Sequence, residues 1–252
     1  MSQEKLVSII MPAYNADRSI RNSIDSVLSQ TYPTWELLIV NDCSKDNSAK
    51  IAQEYCDKDT RIKLFHNGVN SGPAITRNDA INRAKGRFIA FLDSDDIWLP
   101  GKLEKQIGTM LECAYSFTYT SYHRISEDGT VPGRRIGVPD QLDYAKLLRN
   151  TAIVTSSVVI DINAIGGVQM KNTYYDDFAC WLEIMKRGFV AYGIDDDLVA
   201  YRISTASISR NKINSAIQVW NTYRTIEGLG ILNSAYYFTG YALKAIQKYY
   251  KF

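Results

Sequence analysis

The sequence predicts an α/β fold built on a doubly wound, mostly parallel sheet. Strand and helix patterns alternate through the first half of the chain, and each strand pattern is an apolar run that ends in polar residues. Such continuous apolar runs are typical of parallel strands buried on both faces. The chain has 252 residues, 46 % of them hydrophobic, which is enough for one large domain or two small ones.

The pattern of apolar and polar residues places each element in turn. In the first half, strands are expected at 6–11, 35–40, 61–65 and 88–92, and helices at 17–29, 44–55 and from the loop at 67–72 through 84. In the second half, strands are expected at 115–122, 156–160, 189–192 and 198–202, helices at 143–149 and 178–187, and a helical pattern from 211 onward. Gly and Pro punctuate the segment around Arg134 and Arg135, which favours a mobile loop there.

The most informative stretch is Phe88–Asp96, where five apolar residues are followed by Asp93, Asp95 and Asp96. Open α/β sheets bind their ligands at the carboxyl ends of the strands. Clustered carboxylates repel one another unless a cation lies among them, and Mg²⁺ or Mn²⁺ favours such oxygen ligands together with substrate phosphates. The stretch therefore predicts a metal–phosphate site. The alternative is a turn that caps the helix beginning near Pro100.

Other polar residues fall at comparable positions. Asp176 and Asp177 open a predicted helix, where they either complement the helix dipole or supply a general base. Asp42 and Tyr14 each follow an apolar strand, and an aspartate beside a tyrosine suits a pyrimidine base. Arg77 could pair with ribose or phosphate, with an aspartate of the cluster, or in a surface salt bridge.

Composition excludes several other classes of protein. A net charge of +2 gives no global attraction to nucleic acid. The four cysteines lack Cys-x-x-Cys spacing, and with only His66 and His123 to complement them a zinc site is not expected. Both histidines are expected to be surface or hydrogen-bonded residues. The first residues lack a signal-peptide pattern and no run of 18 apolar residues occurs, so a cytoplasmic protein with reduced cysteines is expected.

Ordered motifs cover roughly the first 110 residues, and looser ones follow. They are Val7–Asn15, Ser26–Tyr32, Glu36–Ser44, Asn70–Gly72, Arg77–Asn78, Ala84–Gly86 and Phe91–Asp96, then Tyr175–Phe178 and Tyr201–Ser204. These motifs resemble the nucleotide-sugar glycosyltransferases of family 2, which are inverting enzymes of the GT-A fold. Within the family, the chain is most similar to bacterial enzymes that build surface polysaccharides such as teichuronic acid or O-antigen.

The resemblance implies a fold and a domain organisation. The GT-A fold is a Rossmann-like, mostly parallel central sheet flanked by helices, followed in this chain by a C-terminal helical tail. Residues 1–210 would form the catalytic domain, with nucleotide-sugar binding in 1–112 and acceptor binding in 113–210. Residues 211–252 would form the helical extension.

The resemblance also implies the donor site. Pro12, Tyr14 and Asp42 would hold the uracil of a UDP-sugar. Arg77 and Asp93 would contact the ribose and diphosphate, and Ser94 belongs to the same nucleotide-binding set.

The implied metal and base sites each have a second candidate. Asp95 would hold a divalent metal, Mn²⁺ or Mg²⁺, with Asp96 as the alternative. Asp177 would be the catalytic base, with Asp176 as second choice. Ser204 stands where the family often has a histidine that helps to hold the metal or diphosphate, so the full ligand set stays open.

The implied reaction is an inverting hexosyl transfer from a UDP-sugar to a hydroxyl of a glycan or lipid-linked acceptor. A nucleotidyltransferase would also use carboxylates and metal, but the first strand is followed by Pro12–Ala16, which lacks the glycine-rich phosphate loop. A non-catalytic nucleotide-sugar-binding or partner module is the third reading. Loss of Asp95 or Asp177 would have favoured it, and both residues are present.

The C-terminal tail from about Ile231 to Phe252 is rich in tyrosine and lysine. One interpretation is a helix that covers the core. The other is an interfacial helix resting on the inner leaflet of the cell membrane, where tyrosine and lysine are favourable at the headgroup level. A lipid-linked acceptor would make such a peripheral location useful.

Overall fold

The computed structural model describes residues 5–203 and 212–250. Strands in this part of the chain are β1 (Val7–Ala13), β2 (Trp35–Asn41), β3 (Ile62–His66), β4 (Phe88–Phe91), β5 (Ile97–Trp98), β6 (Phe117–Ile125), β7 (Pro132–Ile136), β8 (Gln141–Leu142), β9 (Val159–Asp161) and β10 (Ala191–Arg202). Helices are α1 (Ile20–Leu28), α2 (Ser48–Cys56), α3 (Pro73–Arg83), α4 (Lys102–Cys113), α5 (Tyr144–Leu148), α6 (Ile162–Ile165), α7 (Asp176–Lys186), α8 (Lys212–Asn221) and α9 (Ile231–Tyr250). A 3₁₀ turn spans Thr155–Ser157, and a π-helical segment spans Thr222–Ile226.

The strands form one mixed sheet in the order β3-β2-β1-β4-β9-β6-β10-β5, with β7 added to β6 and β8 added to β10. Strands β1 to β4 run parallel, as the alternating pattern predicted. Strand β9 is antiparallel to both β4 and β6, and it joins this half to the parallel pair β6 and β10. The carboxyl ends of β1, β2 and β4 therefore lie at one edge of the sheet.

Side chains of the sheet are buried on both faces, which explains the unbroken apolar runs. Ile9 and Leu37 pack on one face with α1, α2 and α4, whereas Ile10 and Leu38 pack on the other with α3, α5 and α7. Successive side chains of a strand point to opposite faces, so a strand covered by helices on both sides needs apolar residues at every position.

Strand β1 extends through Pro12 to Ala13, although the sequence predicted that Pro12 would end it. The carbonyl oxygen of Ile10 accepts a hydrogen bond from the Leu92 N–H on the β4 side. The nitrogen of Pro12, two residues further on, faces the same side beyond the end of β4. No ladder hydrogen bond is lost there, so proline is tolerated.

Two predictions for the second half are wrong in detail. The segment around Arg134 and Arg135 is not a loop but the edge strand β7, which pairs antiparallel with β6 and is fixed by an ion pair from Arg135 to Asp195 at 2.6 Å. The two short strands expected at 189–192 and 198–202 are one strand, β10. Its pairing with β6 shifts register between Ile194 and Val199, which is where three consecutive aspartates interrupted the apolar pattern.

The C-terminal helices pack on the core. Val219, Tyr223, Tyr237, Phe238 and Tyr241 join the cluster that contains α5 and α7. The interpretation of the tail as a cover for the core is therefore confirmed for its side chains Tyr237, Phe238 and Tyr241. Within residues 5–203 and 212–250, no helix combines the length and apolar character needed to cross a bilayer.

Candidate active site

Polar residues follow three neighbouring parallel strands at one edge of the sheet. The register pairs Ala13 of β1 with Asn41 of β2, so Tyr14 and Asp42 lie at adjacent strand ends. The N–H of Asp42 donates to the carbonyl oxygen of Ala13 at 2.8 Å. Tyr14 is 50 % exposed, and Pro12, two residues earlier, is half-buried.

The Asp42 carboxylate is buried and organises the loop that leads into α3. Its Oδ1 accepts from Asn67 Nδ2 at 2.7 Å and from the Ser71 N–H at 2.9 Å, and its Oδ2 accepts from the Gly72 N–H at 2.9 Å. Gly72 has a φ of 81°, a conformation that glycine adopts without steric cost. A carboxylate offers about four acceptor positions, so one remains for a donor group of a ligand.

The Arg77 guanidinium joins the two acidic clusters. Its Nη2 lies 2.5 Å from Asp93 Oδ1, and its Nη1 lies 2.6 Å from Asp176 Oδ2, with Arg77 itself almost fully buried. Burial lowers the pKa of Arg77, but the carboxylates of Asp93 and Asp176 raise it by more, so the guanidinium stays charged. Arg77 therefore pairs with the aspartates, and its burial excludes a surface salt bridge.

The neighbours Asp95 and Asp96 lie in different environments. Asp96 is fully buried, and its carboxylate accepts from Ser156 Oγ at 2.5 Å and from the Arg202 N–H at 2.9 Å. Asp95 is only half-buried. The acidic turn does not cap a helix, because β5 follows it and α4 begins later, with Gly101 as its N-cap.

Burial sets the protonation of this acidic turn. Burial and the Asp93 carboxylate raise the pKa of Asp95 to about 6. Burial, and after it the carboxylates of Asp95 and Asp93, raise the pKa of Asp96 well above its ordinary value. Above that pH, ionised Asp95 places an unfavourable negative charge in this acidic turn, which a bound cation would offset. Ser94, almost buried between them, uses its carbonyl oxygen to accept from Ser19 Oγ at 3.0 Å.

The predicted base lies across Arg77 from this turn. Asp177 is half-buried in the first turn of α7, and its Oδ2 accepts from Thr155 Oγ1 at 2.7 Å. Burial and the neighbouring Asp176 raise the pKa of Asp177, while the Thr155 hydroxyl and Arg77 lower it by less. Asp176 is buried against Arg77, and both aspartates lie in the first turn of α7, where they complement the helix dipole.

Sequence reasoning missed three residues that hold the site together. Ser156 bonds Asp96 and also accepts from the Asp93 N–H at 3.1 Å. Arg202 donates from Nε to the Asp95 carbonyl oxygen at 2.6 Å, and from Nη1 to the Glu127 carbonyl oxygen at 2.8 Å. Thr155 positions Asp177. The sequence marks these three residues only weakly. Residues 155–157 are a polar run before an apolar strand, and Arg202 lies at the end of β10.

The two histidines of the chain have defined surroundings. Among the described residues, no three His, Cys, Asp or Glu side chains are grouped closely enough to hold a metal ion by themselves. His66 Nδ1 lies 3.3 Å from Asn41 Nδ2, and His123 Nδ1 lies 3.0 Å from the Asp197 carboxylate, so both are hydrogen-bonded as predicted. Ser204 lies outside the described residues.

The family model described as Glycosyl transferase family 2 matches residues 8–167, which run from the second residue of β1 to beyond β9. The chain belongs to glycosyl transferase family 2. It is 43 % identical over 244 residues to TuaG of Bacillus subtilis (strain 168), which is assigned provisionally to teichuronic acid biosynthesis, covering 96 % of this chain and 97 % of TuaG. It is 40 % identical over 246 residues to WfgD of Escherichia coli, covering 97 % of this chain and 95 % of WfgD. WfgD is named as a UDP-Glc:alpha-D-GlcNAc-diphosphoundecaprenol beta-1,3-glucosyltransferase.

Two solved structures share the fold of this family 2 enzyme. Staphylococcus aureus TarS 1–349 in complex with UDP-GlcNAc superposes with a TM-score of 0.69 at 17 % identity, over 94 % of this chain and 71 % of that one. The mannosyltransferase PcManGT of Pyrobaculum calidifontis, in complex with GDP-Man and Mn²⁺, has a TM-score of 0.70 at 16 % identity, over 92 % of this chain and 69 % of its own. The predicted GT-A fold is confirmed.

Proposed function

We propose that this glycosyltransferase moves a sugar, with inversion, from a UDP-sugar to a hydroxyl of a lipid-linked or glycan acceptor in bacterial surface polysaccharide synthesis. The observation that carries the proposal is the bridge from Arg77 to Asp93 and Asp176. The Arg77 guanidinium contacts both the acidic turn after β4 and the acidic first turn of α7, so only one side chain separates the two turns. A donor diphosphate bound at the turn after β4 would thus lie beside a base in the first turn of α7.

The donor nucleotide would occupy the edge formed by β1 and β2. The exposed ring of Tyr14 would stack on uracil, next to Pro12, and the open acceptor position of Asp42 would take the imide N–H. Asp93 and Ser94 would contact the ribose and diphosphate. The buried Arg77 would act mainly by fixing Asp93 and by lending positive charge to the diphosphate, since both of its terminal nitrogens already bind carboxylates.

A divalent metal fits the acidic turn. Asp95 is the better ligand of the two candidates, because the oxygens of Asp96 already accept from Ser156 and Arg202. Mg²⁺ is usually held by one or two protein carboxylates together with substrate phosphates, so the acidic turn needs no third carboxylate to bind it. When bound, the metal would neutralise the leaving diphosphate. PcManGT, which shares the fold, has been solved with Mn²⁺.

Asp177 is the proposed base. Its raised pKa makes it a better proton acceptor than an ordinary aspartate, and the Thr155 hydroxyl holds the carboxylate in place. It would take the proton of the acceptor hydroxyl as the oxygen attacks the anomeric carbon, on the face opposite the leaving diphosphate. Asp176, paired to Arg77 inside the protein, is the weaker candidate.

The relatives support the class of donor and acceptor. WfgD is named for a UDP-Glc donor and a diphosphoundecaprenol-linked acceptor, and TuaG for a polymer of the bacterial envelope. We assign donor binding to residues 1–112, acceptor binding to 113–210 and the helical extension to 211–252. A lipid-linked acceptor would bring the enzyme to the inner face of the cell membrane.

Calorimetry with UDP tests the proposal directly. UDP should bind in the presence of Mn²⁺, bind much more weakly in EDTA, and be preferred over GDP. Asp95→Asn should lose the metal dependence while keeping its fold by circular dichroism. Equal binding with Mn²⁺ and EDTA would contradict the metal site, and no UDP binding would favour a non-catalytic module of the same fold.

A further inference from the structure

Helices α8 and α9 expose an unusual amount of aliphatic surface. Ile213 and Leu232 are 77 % and 86 % exposed, respectively. Helices α1, α3 and α4 each expose one large aliphatic side chain, whereas α8 and α9 together expose five. We call these five the apolar face: Ile213, Ile217, Ile231, Leu232 and Leu243.

The apolar face is not the side by which these helices pack on the protein. Val219 and Tyr223, and on α9 Tyr237 and Tyr241, already bury the inner side against the core. Helices α8 and α9 also contact each other through the rings of Trp220 and Phe238, which meet edge to face with 5.6 Å between their centroids. A shallow groove between them is lined by Ile213, Ala216, Ile217, Trp220 and Phe238. The outer side therefore has no remaining role in the core.

The segment that carries the apolar face is basic in sequence. Residues 228–243 contain no charged residue, and residues 210–252 contain six lysines and arginines against one acid, Glu227. Glu227 is directed inward, where it binds Lys186 at 2.8 Å and the Tyr144 hydroxyl at 2.5 Å. The whole chain is only +2, so the rest of it is net negative. Two copies of such a basic segment would repel each other, which disfavours a second copy of the chain as the partner.

The apolar face adjoins the proposed base. At the start of α8, Asn214 Nδ2 donates to the Tyr174 hydroxyl at 2.8 Å, three residues before Asp177. Directly after Asp177, Phe178 packs against Tyr223, with 6.5 Å between ring centroids. A partner seated on α8 would therefore lie beside the place where the acceptor hydroxyl must enter.

We propose that the apolar face docks on an anionic lipid bilayer and so presents the lipid-linked acceptor to Asp177. Aliphatic side chains would enter the acyl boundary, basic residues would meet the anionic headgroups, and Trp220 with the exposed Tyr236 would lie at the interface. This inference deepens the proposed function, since it rests on an acceptor with a lipid anchor.

Vesicle cosedimentation of the full-length protein tests the docking without donor or acceptor. Wild-type protein should pellet with phosphatidylcholine vesicles containing 30 % phosphatidylglycerol, less with pure phosphatidylcholine, and less as salt rises. The combined variant Ile213→Ser, Ile217→Ser, Leu232→Ser and Leu243→Ser should bind about tenfold more weakly or worse. The matched control Leu111→Ser with Val131→Ser, which changes exposed aliphatic residues elsewhere, should bind like wild type.

Other outcomes would overturn the inference. Wild-type protein that stays in the supernatant with anionic vesicles, or a four-residue variant that pellets like wild type, would remove the bilayer as the partner. A dimer in sedimentation velocity that the four substitutions dissociate would assign the face to self-association instead. UDP calorimetry on the same variant separates the two proposals, because nucleotide binding should survive the loss of vesicle binding.

Discussion

Arg77 and Asp176 form a buried ion pair at 2.6 Å that ties helix α3 to the first turn of α7. The same guanidinium holds Asp93 at 2.5 Å, so one side chain fixes the spacing between the proposed donor and base sites. Removing one partner of a buried pair leaves the other charges uncompensated, whereas an exposed pair contributes little.

Arg77→Ala should therefore lower the free energy of unfolding by about 3–5 kcal/mol. Arg83→Ala, on the same helix and paired at the surface with Asp79 at 3.0 Å, should cost about 1 kcal/mol or less. Urea unfolding of both variants measures the difference. Equal losses would mean that Arg77 does not carry the stability of the site.

Asp177→Asn should abolish sugar transfer and leave UDP affinity nearly unchanged, because the variant keeps the shape of the side chain but cannot accept the proton. Transfer is measured with a UDP-sugar and a diphosphate-linked saccharide, and affinity by calorimetry. Full transfer by the variant would refute the assignment of Asp177 as the base.

Thr155→Val should move the acid limb of the pH–rate profile to higher pH. Burial and Asp176 already raise the pKa of Asp177, and the Thr155 hydroxyl opposes this by stabilising the ionised form. Without that hydrogen bond, Asp177 is protonated at a higher pH and the base is lost sooner on acidification. The kcat profile from pH 5 to 8 shows the effect, and an unchanged limb would contradict it.

Asp95→Asn should stabilise the metal-free protein at pH 8 and change it little at pH 4. In the folded protein the pKa of Asp95 is raised to about 6, so folding favours the protonated form and stability falls as pH rises through the range from about 4 to 6. The gain should be on the order of 1–2 kcal/mol, seen as a higher Tm in EDTA. Mn²⁺ should raise the Tm of wild type and not that of the variant.

Gly86→Ala should destabilise the fold by about 1–3 kcal/mol, because an added Cβ would lie 2.5 Å from the Leu6 carbonyl oxygen and 2.8 Å from the Ser8 nitrogen. Gly108, in the exposed part of α4, has open space around it. Gly108→Ala should raise stability by about 0.5–1 kcal/mol. Opposite signs in thermal melts would support the packing of Gly86 against β1.

The parts of the site that the sequence predicted are those encoded locally. Asp42 and Asp93 follow apolar runs, and Asp177 opens a helix, so pattern alone placed them at the ends of elements. Ser156 and Arg202 reach Asp96 across 60 and 106 residues of chain, and nothing near either residue in sequence marks that contact. The different environments of Asp95 and Asp96 could not be predicted either, because they depend on which of the two carboxylates binds Ser156 and Arg202.

Element boundaries show the same limit. The second helix was predicted from Ser44 and begins at Ser48, because Cys43 adopts a φ of 60° and the turn that follows uses Asp46 to accept from the Ser48 N–H at 2.9 Å. Strand β7 was missed because its stability comes from pairing with β6 and not from apolar residues.

The packing of Phe178 on Tyr223 joins α7, which carries the proposed base Asp177, to the C-terminal helices. With a bilayer docked on α8 and α9, Asp177 stands at a constant height above the lipid. Acceptors would then be selected by how far their reactive hydroxyl projects from the membrane, as well as by the identity of the sugar. An acceptor that is one sugar too long or too short would miss the base, so the enzyme would add its residue at one step of chain growth.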